Sequence, residues 1–236
     1  MTPDSKLEKL PPKTEKVETI KILRQTTKAA TALAELKGIA KTIPNQLMLV
    51  NAIVLQEAKD SSEIENIITT QDELYKAIAI DKSNISAATK EVVNYRKAIF
   101  LGFDLVEKQG FLSVNDIKSI QQVLVGNSAG IRNVPGTVLK NSNTGEVVYT
   151  PPQDEIEILD LLTNFINHFN DTEQSLSPLI NLAVFHYQFE SIHPFYDGNG
   201  RTGRIINILY LVLNELLDLP ILYLSSYIIK HKADYY

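Results

Sequence analysis

The stretch His193-Pro194-Phe195-Tyr196-Asp197-Gly198-Asn199-Gly200-Arg201-Thr202-Gly203-Arg204 separates two apolar helical patterns, one opening at Pro178 and one running over 205–217. Three glycines within six residues permit a sharp turn. They also leave successive backbone N–H groups open at a helix start, where the helix dipole favours an anion. A phosphate chain suits that cradle. Arg201 and Arg204 stand three apart and share a helix face, so both can add charge-assisted hydrogen bonds to phosphate oxygens. Asp197, just ahead of the turn, is the candidate ligand for Mg²⁺, an ion that bridges protein carboxylates and substrate phosphates. His193, titrating nearest neutral pH, is the candidate general base for a hydroxyl nucleophile. The local reading is helix, glycine-rich turn, helix.

Outward from this turn the chain reads as helix after helix. Apolar spacing predicts helices over 23–36 with Gly38 as a stop, from Pro44 to about 58, over 71–80, and over 86–108 ended by Gly110. Ser113 and Asp116 form a loose capping box for a helix reaching Val125. The polar pair Lys59-Asp60 reads as a break, with a separate short helix over 61–68 behind it. Further helices are expected over 154–169, from Pro178 through Phe189, and in two short stretches beyond Pro220. Only between 126 and 152 does the helical period disappear. There 137–139 and 146–149 flank the turn-rich run 141–145 as a small β-hairpin.

The expected fold is therefore an all-α helical bundle with a small hairpin. Its divisions are an N-terminal arm and first helix over 1–40, a helical region over 41–85, and a core over 86–236. The segment through Val17, with Pro11-Pro12, reads as an extended arm free to wrap the domain. Tyr236 ends the chain in mid-pattern, which reads as truncation of a longer parent.

Composition narrows the function. The 236 residues, 44% hydrophobic and 22% charged, are ordinary for a globular protein, and a chain of this size buries roughly 70–75% of its unfolded surface. With no cysteine, thiolate metal sites and cysteine nucleophiles are excluded. A net charge of -5 disfavours nucleic acid as a partner, whereas one phosphorylated ligand needs only a few well-placed cations. Neither a signal peptide nor an uncharged run long enough to span a bilayer is visible, so no membrane association is expected and the cytoplasm is the default location.

The motif from His193 to Arg204 resembles the signature of the Fic (Fido) family, H-P-F-x-D/E-G-N-G/K-R-x-x-R, at every defined position. That resemblance implies a Fic-domain helical bundle that takes Mg-ATP and transfers AMP to a Tyr, Ser or Thr hydroxyl of a target protein, releasing pyrophosphate. By it, His193 deprotonates the target hydroxyl and Asp197 holds Mg²⁺. Gly198, Asn199 and Gly200 form the anion hole with Arg201, and Arg204 engages the terminal phosphate. Thr202 and Gly203 complete the nucleotide-binding turn.

The hairpin residues Gly145, Val147, Val148 and Tyr149 are similar to the family's flap, which docks the target through main-chain hydrogen bonds. Ser61-Ser62-Glu63-Ile64-Glu65-Asn66 fits the family's inhibitory pattern S/T-x-x-x-E-G/N, which casts Ser61, Glu65 and Asn66 as an internal brake. Glu65 paired with Arg204 would occupy the cation that the γ-phosphate needs. The competing reading of Ser62 and Glu65 is a plain capping box.

Tyr236, with Tyr235, is a candidate for stacking on adenine, weighed against simple packing. His186 reads as a packing histidine, and His168 and His231 as surface groups. The expected partner is a hydroxyl-bearing target protein; self-modification and a homo-oligomer stay open. Three alternatives also remain: removal of AMP with Glu65 positioning a water, transfer of another phosphorylated group, and a nucleotide-sensing module without catalysis.

Overall fold

The computed structural model describes residues 6–79, 85–141 and 144–235. In chain order its helices begin with α1 (Thr14–Val17), α2 (Ile20–Thr42), α3 (Gln46–Ile64), α4 (Gln71–Ala79), α5 (Ala87–Gln109) and α6 (Val114–Val125). A two-stranded antiparallel sheet follows, β1 (Leu139–Lys140) with β2 (Val147–Tyr149), pairing Leu139 with Tyr149 and Lys140 with Val147. The rest is α7 (Glu155–Phe169), α8 (Pro178–Ile192), α9 (Asn199–Leu213), α10 (Ser225–Lys230) and α11 (Lys232–Tyr235). An all-α bundle carrying a small hairpin is what the sequence predicted.

The bundle is organised around α9, whose residues from Arg201 through Leu211 are all buried. A helix covered on every side must be apolar nearly all round, and the run Ile205-Ile206 to Leu211 supplies that surface. Against it pack α5, α6, α8 and the end of α3, while α5 also contacts α3, α4 and α6. Val54, Tyr95, Ala98, Ile99, Ile120, Leu124, Ile205 and Leu209 are all sealed from solvent in this core. Phe169, Phe185 and Tyr210 form an aromatic cluster with ring centroids 4.9–5.4 Å apart, in the tilted and edge-on arrangements that aromatic rings prefer.

Local signals explain most helix ends. Ser113 and Asp116 make a reciprocal capping box, Asp154 accepts from Ile156 N and Glu157 N, and Gly110 and Gly126 close their helices in the left-handed region. The N-terminal arm does lie on the domain. Leu7 and Leu10 are buried, and both backbone groups of Leu10 bond the side chain of Asn164 on α7.

Two expectations need correction. Gly38 does not stop the first helix, because α2 continues to Thr42 and ends before Pro44, whose ring disfavours helical geometry in the residue preceding it. Nor does Lys59-Asp60 break the next helix. Lys59 pairs with Glu63 one turn on, at 3.0 Å, and Asp60 accepts from Tyr223, so both polar groups are satisfied inside a continuous α3. No separate helix spans 61–68.

The hairpin strands are also shifted slightly, β1 to Leu139–Lys140 and β2 to Val147–Tyr149.

Gly102 lets α5 approach α9 closely: a Cβ there would lie 2.7 Å from Leu209 Cδ1 and 3.1 Å from Ile120 Cδ1, so those buried side chains would have to shift. Gly102→Val is expected to destabilise the fold by about 1–3 kcal/mol through overpacking. Urea denaturation checks this; a midpoint equal to wild type would show that the gap tolerates a side chain.

Candidate active site

The turn predicted from sequence is held by its own side chains. His193 caps α8 in the left-handed region at φ 49, and Gly198 starts α9 at φ 81. Asn199 closes the loop between them, its Oδ1 accepting from Phe195 N at 2.9 Å and its Nδ2 donating to Phe195 O at 2.7 Å. Phe195 is fully buried and anchors the loop in the core, while Gln121 of α6 donates to the Asp197 carbonyl at 3.0 Å. Gly198 cannot be replaced without strain, since its φ favours glycine and a Cβ would meet Val125 Cγ1 at 2.9 Å. Asn199 thus acts on the loop backbone.

Ser61 and Glu65 come to the turn from the end of α3, which packs on α5 and α9. Arg204, almost wholly buried on α9, donates Nε to Ser61 Oγ at 2.7 Å, and Nη2 to Ser61 O and to Glu65 Oε1, both at 2.9 Å. Glu65 caps α3, and Asn66 follows it in the left-handed region at φ 62. Asn66 N bonds Glu63 O and Ile67 N bonds Ser62 O, each at 3.0 Å, which is a Schellman closure. Asparagine is one of the few residues that tolerates that backbone. The capping-box alternative is thereby excluded: Ser62 lies in the last turn of α3, not at a helix start.

Glu65 also lies against the glycine-rich turn. A Cβ at Gly200 would fall 2.5 Å from Glu65 Oε1, so the carboxylate rests against the first turn of α9, whose exposed N–H groups and dipole favour negative charge. Burial pulls the Arg204 guanidinium down from its usual range, but Tyr235, Glu65 and Tyr95 together outweigh it and drive the group well above that range. Tyr235 sits within 3.5 Å of Arg204 Nη1 and bonds His186 Nε2 at 2.7 Å. Tyr236 lies outside the described residues.

Arg201 is placed differently from Arg204. Its buried guanidinium bonds Glu91 of α5 at 2.6 Å and Asp197 at 3.2 Å. The Asp197 side chain remains 67% exposed and also accepts from Gly198 N at 2.6 Å. An exposed single carboxylate beside an anion cradle fits a Mg²⁺ held jointly with substrate phosphates. Among the described residues no cluster of three His, Asp or Glu could hold a metal by itself. Thr202 and Gly203 are buried behind the turn, and a Cβ at Gly203 would lie 2.4 Å from Glu190 Oε1.

His193 is half-buried, with its Nδ1 enclosed and without a hydrogen-bond partner, which leaves Nε2 as the nitrogen able to take a proton. Burial, reinforced by the charge of Arg132, pushes the imidazole down to about 4. In the hairpin, Tyr149 is buried, Val148 is exposed, and Gly145 turns at φ 72. Among the described residues β2 pairs only with β1.

Sequence reading missed Glu91, Glu57, Glu190 and Arg132. The signal for Glu190 was its position three residues ahead of His193 on an apolar helix; Glu57 and Glu91 are acids on the inward faces of α3 and α5.

The geometry defines a helical domain in which a glycine-rich helix start, flanked by a histidine and two buried arginines, is built to receive an anion. Two family profiles match the chain: "Fic/DOC family N-terminal" over residues 23–104 and "Fic/DOC family" over 111–211. The chain belongs to the Fic/DOC family. It is 26% identical over 175 residues to the protein adenylyltransferase Fic of Aedes aegypti, a match covering 65% of this chain and 33% of the relative. A probable protein adenylyltransferase of Aquifex aeolicus is 35% identical over 80 residues, covering 34% of this chain and 24% of that protein. The chain thus spans 24–33% of these relatives' own length.

Among solved structures, a Fic family protein from Desulfovibrio desulfuricans superposes with a TM-score of 0.72 at 21% identity, covering 96% of this chain and 66% of that one. Fic-1 from Caenorhabditis elegans gives 0.67 at 20% identity, over 94% and 66%. These two likenesses establish the fold. No helix among the described residues is long and apolar enough to cross a membrane.

The buried acid on α8 gives the site a measurable signature. Glu190 Oε1 has no hydrogen-bond partner, and burial pushes its carboxyl from 4.5 up to about 7, aided by Glu65 and opposed by Arg204. Its contribution to stability is therefore full below pH 4.5 and lost as pH rises through 7. Glu190→Gln removes that loss, so the variant is expected to gain roughly 1–3 kcal/mol on wild type between pH 4.5 and 7. His186 and His193, both pushed down to about 4, contribute the opposite slope to each protein and cancel in the comparison. Urea melts across that window check it; a flat difference would mean that the carboxyl titrates normally.

Proposed function

We propose that the chain is a protein adenylyltransferase that moves AMP from ATP to a Tyr, Ser or Thr hydroxyl of a target protein and is held inactive by Glu65. The observation that carries this reading is the Glu65 carboxylate on Arg204, seated over the Gly200 turn where a phosphate would bind. When Glu65 withdraws, the first turn of α9 and the Arg204 guanidinium become available to the phosphate chain.

The reaction needs three things from the chain. Gly198, Asn199 and Gly200 orient the phosphates through backbone N–H groups, and Arg204 fixes the terminal phosphate so that the α-phosphorus faces the acceptor in line. His193 Nε2 takes the proton as the hydroxyl oxygen bonds to the α-phosphorus and the bond to pyrophosphate breaks. The ring is neutral in the bare site, and negative phosphates beside it pull its affinity for a proton back up toward the working range. Mg²⁺, when bound by Asp197, supplies charge neutralisation on the phosphates.

Arg201 orients Asp197 through its 3.2 Å bond and is itself fixed by Glu91. The free edge of β2 aligns an extended target segment by main-chain hydrogen bonds, with the hydroxyl presented toward His193.

The test uses ATP labelled separately at the α- and γ-phosphates with wild type, Glu65→Gly and His193→Ala. Protein-bound α-label is expected to rise at least about tenfold in Glu65→Gly, the scale of releasing one charged contact, and to vanish in His193→Ala. Retention of γ-label alone would replace this reading with phosphorylation.

A further inference from the structure

Arg132 belongs to no motif in the sequence, yet its side chain reaches the base of the site. It lies in the segment 126–138 between α6 and β1, where Ile131 bridges Phe195 and Arg132 N donates to Pro194 O at 2.9 Å. The side chain has no exposed surface, and among the described residues no carboxylate lies within ion-pair distance of it. Arginine stays cationic, so burying it without a counter-ion is costly unless its donors are well used.

Nη1 is buried without a hydrogen-bond partner, and the donors of Nε and Nη2 go to three backbone carbonyls. Nε donates to His193 O at 2.6 Å, and Nη2 donates to Ile192 O at 3.3 Å and, more closely, to Pro152 O. The first and second are acceptors left open at the C-terminal end of α8, where the helix dipole favours a cation. The third belongs to the segment leaving β2. One guanidinium therefore holds the backbone of the base and the exit of the hairpin together.

The geometry points to Arg132 as a positioning residue: by gripping the His193 and Pro152 carbonyls it fixes the direction of the imidazole and locks the docking strand to it. This rests on the adenylyltransferase reading above. His193 caps α8 in a left-handed backbone conformation uncommon for a non-glycine residue, and the Arg132 bond to its carbonyl helps to hold it there. The charge acts as well. Beyond burial, the charge of Arg132 from the 126–138 segment disfavours the protonated ring, while the backbone of Glu190 on α8 and the charge of Glu65 at the end of α3 favour it. A hydroxyl docked along β2 and the base that deprotonates it would then move as one unit.

Two readouts on the full chain test this. The first is titration of the histidine ring C–H signals by NMR in an otherwise wild-type background, with the His193 signal assigned from His193→Ala. Arg132→Met is expected to raise the His193 pKa by at least about one unit, as loss of a neighbouring like charge should. Arg132→Lys keeps the charge and is expected to keep the low value. An unshifted His193 in a folded Arg132→Met protein overturns the proposal.

The second readout is α-label transfer in the Glu65→Gly background. Arg132→Lys is expected to lower kcat by roughly 10–100-fold with KM for ATP unchanged, because one ammonium cannot span three carbonyls. Parent-like kcat in Arg132→Lys overturns the proposal, and this variant decides if Arg132→Met does not fold. Should the parent show no label transfer, the adenylyltransferase reading fails on its own, and the titration alone decides whether Arg132 governs the base.

Discussion

The buried guanidinium of Arg204 is the constraint to which the rest of the site answers. A cation with almost no exposed surface must keep its partners, since removing one from a buried pair costs about 3–5 kcal/mol. Ser61 supplies two of those partners through its hydroxyl and carbonyl, Glu65 a third, and the Tyr235 hydroxyl a longer fourth. Docking α3 onto α9 is therefore dictated by charge as well as by apolar packing. The same tie extends to the C-terminal helices, because Glu57 on α3 is buried and accepts from both Ser225 N at 3.0 Å and Ser225 Oγ at 2.6 Å. Burial raises the affinity of Glu57 for a proton, and the Ser225 bonds oppose it. Lys232 adds a contact to the Ile64 carbonyl at the last turn of α3.

Three buried arginines carry three different tasks, distinguished by what each one bonds. Arg201 meets two carboxylates and behaves as a brace between α5 and the Asp197 loop. Arg132 meets only carbonyls and acts on backbone. Arg204 shares its charge with the Glu65 carboxylate, which lies against Gly200 at the start of α9. An overall charge of -5 is compatible with triphosphate binding because these cations are held inside the fold, close to one turn, where the low local dielectric strengthens their field.

The all-helical architecture was legible in the sequence because its period and stop signals were local: Ser113 with Asp116, Gly110, Gly126, Pro178 and Asp154 each act within one turn. The two errors came from signals with tertiary answers. Lys59-Asp60 looked like a break only because Tyr223, far along the chain, was needed to satisfy Asp60. Gly38 looked like a stop, but a glycine ends a helix only where the next geometry is left-handed, and here the limit was set by Pro44.

The loop residues from His193 to Arg204 were readable as a set because their chemistry is contiguous. The pairing of Arg201 with Glu91 and the grip of Arg132 on His193 were not, since each joins residues more than sixty positions apart with no shared motif.

The strength of the Glu65 contact has to be judged against what could replace it. Ser61 is fully buried, while the Glu65 side chain is 34% exposed and sits one residue beyond the helix, so the carboxylate is the exchangeable member of the Arg204 shell. The backbone beneath it is closed only by the Schellman bonds at Asn66 and Ile67, beyond the apolar face of α3. Arg204 cannot then be abandoned in a dry site, so withdrawal of Glu65 is favourable only when another anion enters as it leaves. The first turn of α9, kept clear of side chains by Gly200, admits such a group from the N–H side. A triphosphate presents more charge and more acceptor oxygens to that turn than one carboxylate does. On the adenylyltransferase reading, Glu65 and the phosphate chain compete for the same guanidinium and the same glycine turn, Arg204 and Gly200.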